Sequence, residues 1–341
     1  MYTNRTLSLK VFLEKSSKSF VVLTIYATLV VVAYEYLDIK WMKLPWTVLT
    51  VVGTAVAFYV GFKNNSAYER TWEARKIWEG IVSNSRTWGL ISRDYITNLF
   101  VLDEQDEITQ QEIDTIVKRL IFRQIAWAYR LRRQLWKAKT WEHSQKMTIS
   151  LRKHLGDAFA SLSEEEELNK FIDTGEVEEL ITKENICTEL ISNQSKEILN
   201  LRRLNLIDDF RHVEFQHLLQ DFYNFQSKCE RIKDFPLPRQ YANTSSLLTY
   251  IMVLLLPYGM VAQFSLLGEG MVWLTIPFTG LIGGIYLLME IVGDYAENPF
   301  EGLSFDTPMT SLCNKIDREL KQMIGEKDLP DVVQPHHHIL L

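Results

Sequence analysis

The residues best placed to do chemistry lie on one short stretch of the chain. Thr47, Thr50, Thr54, Phe58 and Gly61 recur at i, i+3, i+7, i+11 and i+14, with Phe62 close behind. That spacing lines one helical face with hydroxyls and then with aromatic rings. Two readings follow. Thr and Gly are common where membrane helices touch, which makes the stripe a packing seam. If several copies of the face surround an axis, the hydroxyls become rings of weak ligands and the aromatics a constriction, which makes it an ion pathway. Spacing alone leaves the two even.

Other chemistry finds little support. The chain has no G-x-S-x-G, H-E-x-x-H or P-loop, and His143, His154, His212 and His217 lie in charged segments where packed or solvated imidazole is the ordinary state. No enzyme activity, metal site or cofactor is expected. His336, His337 and His338 follow a proline close to the end of the sequence, and the acidic run 164–167 reads as a solvated face rather than a cation site. Cys187, Cys229 and Cys313 are too few and too scattered for a disulfide framework and read as reduced core residues. A net charge of −6 argues against a nucleic-acid partner.

The elements that must position the stripe come from hydropathy. The 341 residues are 47% hydrophobic and 23% charged, and a mean hydropathy of −0.08 averages long uncharged runs near both ends with a charge-dense middle. Residues 44–62 and 247–267 are long enough to span a bilayer as helices. Residues 270–289 also span, with Gly280, Gly283 and Gly284 permitting close helix contact. The run 19–34 is shorter, but Lys18, Tyr34 and Tyr36 supply interfacial anchors, and a second span after nine residues argues against a cleaved signal. Arg5, Lys10, Lys15 and Lys18 against a single Glu14 hold the amino terminus in the cytoplasm.

Four crossings then organise the chain as a cytoplasmic amino terminus (1–18), a first transmembrane hairpin (19–62), a cytoplasmic region (63–240), a second hairpin (241–289) and a cytoplasmic carboxyl segment (290–341). The cytoplasmic region reads as helical. Residues 105–137 carry apolar positions at helical spacing, with acids at the start and arginines near the end. Residues 63–99 contain no proline and read as a cytoplasmic continuation of the second span or as a helix docked beneath it, Ser163 and Glu166 have capping-box spacing, and 184–231 reads as helix broken near Asp208 and Asp209. The fold class is all-α, a polytopic membrane protein with four transmembrane helices and a large helical cytoplasmic region.

Three motifs resemble one family. FKNNSAYERTWEAR at 62–75, CERIKDFPLPRQY at 229–241 and NPFEGLSFDTP at 298–308 are similar, in order, to the bacterial branch of the bestrophins. The resemblance implies a homopentameric channel in the inner membrane, lined by the second transmembrane helix of each subunit, with a membrane neck and a cytoplasmic aperture. Its partners would be the lipid bilayer, further copies of the chain and small monovalent ions. The neck positions correspond to Thr54, Phe58 and Phe62, of which Thr54 departs from the family's usual apolar residue; Thr47, Thr50 and Gly61 line the same face. Counting back from Cys229 places the aperture at Val213. Only Glu301 stands directly after NPF, where the eukaryotic branch carries an acidic calcium cluster, so calcium gating is not expected. The neutral rings do not choose an ion sign. Chloride is the favoured ion, with a monovalent-cation channel of the same architecture or a non-conducting helical scaffold as the alternatives.

Overall fold

The computed structural model describes residues 1–3, 9–103, 105, 107–143, 162–268, 270–336 and 338–341, with backbone alone over 9–18. The charges Arg5, Lys10, Lys15 and Lys18, as well as His154 and His337, fall outside the described side chains. The described residues form helices and isolated bridges, with no strand among them. They divide into two compact units.

The first unit, residues 4–71 and 236–298, carries the apolar helices. It holds α1 (Leu9–Tyr36), the first half of α2 (Trp46–Tyr95), α8 (Arg239–Phe264) and α9 (Thr275–Ala296). Each of the four runs read as spans falls mostly within a helix long and apolar enough to cross a membrane, although the helix of the third ends at Phe264, short of residue 267. Glycines set the packing distances. A Cβ at Gly280 or Gly283 would come within 2.9 Å of Phe20 or Leu23, so α1 lies against α9 over these two positions, whereas Gly284 has room to spare. The interior between α2 and α8 is Leu49, Val56, Val60, Met252, Leu256 and Met260. The uncharged run ends at Met289, yet α9 continues to Ala296.

The second unit, residues 1–3, 72–235 and 299–341, has a larger core. Its helices are the rest of α2, α3 (Gln110–Leu135), α4 (Glu164–Leu168), α5 (Thr174–Ile181), α6 (Ile186–Arg203), α7 (Asp209–Asp234) and α10 (Met309–Met323). Aromatic rings knit it together: Trp88 meets Phe215 edge-on at 5.3 Å between centroids, and Trp127 meets Phe222 at 5.1 Å. The predicted break after α6 is present, with Asp208 capping α7 by accepting the Arg211 amide proton. α3 starts later than the acidic cluster suggested. Thr109 caps it reciprocally with Glu112, a box worth about 1 kcal/mol, and a cap fixes a helix start more sharply than a favourable dipole does.

Residues 164–167 correct an expectation. Ser163 does form a capping box with Glu166, but only Glu165 and Glu166 of the run face solvent. Glu167 is buried between Arg132 at 2.6 Å and Arg133 at 2.9 Å, while Glu164 pairs with Arg130 and Lys137. The arginines near the end of α3 required buried counter-charges, and the acidic run supplies them. All three cysteines are buried thiols, and burial pushes Cys187 up to about 12, which leaves it inert as a nucleophile.

Candidate functional site: the two faces of α2

Within the apolar unit α2 has a buried face and an exposed face. Leu49, Gly53, Val56, Val60, Lys63 and Ala67 are buried, at the three- and four-residue spacing of a single stripe. Thr47, Thr50, Thr54, Phe58, Gly61 and Phe62 are all exposed on the subunit. Phe58 and Phe62 are 63% and 61% exposed, and their rings stack with centroids 6.4 Å apart. A Cβ at Gly61 would meet nothing within 4 Å. The stripe is therefore not a packing seam inside the subunit. A groove of about 600 Å³, lined in part by Trp46, Gly53, Met252 and Tyr286, borders it at Thr54 and Phe58.

The hydroxyls are already oriented. Thr54 donates its proton to the Thr50 carbonyl at 2.8 Å, and Thr50 donates to the Trp46 carbonyl at 3.1 Å. A hydroxyl that spends its proton on the preceding turn presents only acceptor lone pairs outward. The face thus offers oxygen to water or a cation rather than a hydrogen bond to an anion.

A polar node lies on the buried face, one residue past Phe62. Lys63 is 1% exposed and pairs with Glu290 of α9, whose carboxylate also accepts from Ser245 at 3.0 Å and from Ser246. Asn64 donates to the Met289 carbonyl at 3.1 Å. The backbones approach so closely that a Cβ at Gly293 would lie 2.2 Å from the Asn64 side-chain oxygen. Sequence reading treated Lys63 and Glu290 as the ends of uncharged runs and missed their pairing. The available signal was that Glu290 interrupts an apolar stretch and Lys63 closes one, places where a buried charge requires a partner.

The bacterial and fungal bestrophin model matches residues 10–322. The chain belongs to the bestrophin family. Among relatives of this bestrophin, the voltage-dependent anion channel-forming protein YneE of Escherichia coli K12 is 24% identical over 308 residues, covering 90% of this chain and 85% of the relative. A voltage-dependent anion channel-forming protein of Mesorhizobium japonicum is 25% identical over 84% of this chain and 79% of its own. The fold matches that of a bacterial bestrophin homologue from Klebsiella pneumoniae with a TM-score of 0.74 at 19% identity, over 91% of this chain and 98% of that one. The protein is thus a membrane protein of a channel family and not an enzyme.

The remaining bestrophin motifs lie in or next to the second unit. Val213 stands on α7, 47% exposed, and Phe210 one turn before it is 85% exposed. The sequence reading did not single out Phe210, which stands two residues after the Asp208 cap in the first turn of α7. Cys229 is buried, and Lys233 in the same motif contacts both oxygens of Glu142 at 2.6 Å, with burial lowering its pKa. After NPF, Glu301 is buried and engaged by His143 Nδ1 at 2.8 Å, so that histidine is packed, not solvated. Asp306 accepts the Leu303 amide proton at 2.9 Å, and burial pushes its carboxyl up to about 7.

Proposed function

We propose that the protein is a homopentameric channel of the inner membrane, with both termini cytoplasmic, passing small monovalent anions and chloride foremost. The observation that carries the reading is the Thr47-to-Phe62 face of α2, left exposed among the described residues while the opposite face packs on α8 and α9. Lipid can cover exposed aromatics, and it is the row of threonine hydroxyls on the same face that favours an aqueous axis over a lipid-facing surface. Five copies around an axis would stack rings at Thr54, Phe58 and Phe62 into a neck, and Val213 with Phe210 would form a second apolar constriction. The domain plan of the sequence, with hairpins at 19–62 and 241–289 around a cytoplasmic region, accompanies this reading. The anion-channel names of the relatives favour chloride.

A cation channel of the same architecture is the second reading, favoured by the back-bonded threonines, which present acceptors alone. In the scaffold alternative the stripe would be a seam between copies. Oligomer mass in mild detergent followed by planar-bilayer recording tests all three. A pentamer with chloride current is the expected result, cation current supports the second reading, and a monomer without conductance overturns the channel.

A further inference from the structure

Three charged side chains follow the aromatic collar within eight residues: Lys63, Glu69 and Arg70. As a sequence they nearly cancel. The structure separates them. Lys63 turns to the buried face and is neutralised by Glu290. Arg70 turns towards the carboxyl end of α9, where its Nε donates to the Glu297 carbonyl at 3.0 Å. Glu69 stays exposed. It stands seven residues after Phe62, nearly two full helical turns, and so shares the stripe of Phe58 and Phe62 at about 10 Å further along the axis. Asn65, seven residues after Phe58, holds it there by donating from Nδ2 to Oε1 at 2.9 Å. Of the three, Glu69 is the charge that a solute leaving the collar meets.

We propose that Glu69 is a specificity-determining residue of the ion pathway, a ring of carboxylates, one per subunit, that draws monovalent cations to the mouth of the collar and holds down the permeability of anions. This rests on the reading that the α2 stripe lines the pathway. Rings of charged side chains select ions by sign, and the distance from Phe62 to Glu69 is comparable to the screening length of about 8–10 Å at physiological salt. The acceptor-only threonines act in the same direction, since they too offer oxygen to a partly dehydrated cation. Such a residue acts whichever ion the wild type prefers: an anion channel would be less selective because of it, and a cation channel more so.

The test is reversal potential in asymmetric KCl, using the purified full-length protein in planar bilayers. Glu69→Gln should raise the chloride-to-potassium permeability ratio severalfold, and Glu69→Lys should raise it further. Glu69→Asp should stay near wild type, and the differences should shrink as salt rises. An exposed position tolerates all three substitutions. If the wild type carries no current, or if Phe58→Ala with Phe62→Ala leaves conductance unchanged, the pore reading fails and the role of Glu69 with it. If the collar substitutions change conductance while Glu69→Gln and Glu69→Lys leave the reversal potential at the wild-type value, the assignment of Glu69 alone is overturned.

Discussion

The two faces of α2 solve opposite problems with similar residue types. On the buried face a lysine is taken out of water, and it is matched by a carboxylate that two serine hydroxyls also satisfy. On the exposed face Phe58 and Phe62 stack on each other yet stay 63% and 61% exposed, and beside them Thr50 and Thr54 spend their protons on their own helix. The buried lysine has its counter-charge; the exposed phenylalanines are left uncovered by the described residues. The first arrangement fixes α2 against its neighbours, and the second is left for something outside the subunit.

The largest effect expected from breaking this contrast is on the buried face. Lys63→Met leaves the Glu290 carboxylate buried without its counter-charge, and the loss should be about 3–5 kcal/mol, read as a fall in the thermal stability of the solubilised protein. Replacing both partners, Lys63→Met with Glu290→Leu, should recover most of that loss. A double variant as unstable as the single one would show that the node is held by more than the pair.

On the exposed face stability should barely respond, and conduction should. Phe58→Ala with Phe62→Ala widens the proposed collar and should raise single-channel conductance severalfold at near wild-type melting temperature. A smaller change is expected from Thr54→Ile, which replaces an acceptor with a methyl surface and should lower conductance by drying the neck, whereas Thr54→Ser keeps the back-bond and should change little. Equal conductance in Thr54→Ile and wild type would place Thr54 off the pathway.

The smallest effect concerns the second unit. Burial raises the Asp306 carboxyl from 3.8 to about 7, with the like charge of Glu301 adding to the shift. The folded state therefore holds this proton more tightly than the unfolded chain, and the contribution to stability is present below about pH 4 and lost as pH rises towards 7. Asp306→Asn keeps an acceptor for the Leu303 amide and removes the titration. Its melting temperature should vary less between pH 5 and about 8 than that of the wild type, and parallel profiles would assign the pH dependence to other groups.

Much of this was legible in the sequence for physical reasons that do not need neighbours. Uncharged runs of bilayer length, the spacing of Thr47 to Gly61, the capping pair Ser163 and Glu166 and the break at Asp208 are local facts, set by hydropathy, helical period and hydrogen bonding within a few residues. The fate of each charge was not legible. Lys63 and Glu290 are 227 positions apart, and Glu167 reaches Arg132 across 35, so no window of sequence contains either pair. A charge near a helix end looks the same in a string whether it faces water or a counter-ion. Only the packing of α2 on α8 and α9, set by small residues at the contacts and by the requirement that buried charge be matched, decided that Lys63 is silenced, that Arg70 turns away and that Glu69 remains on the face with the phenylalanines.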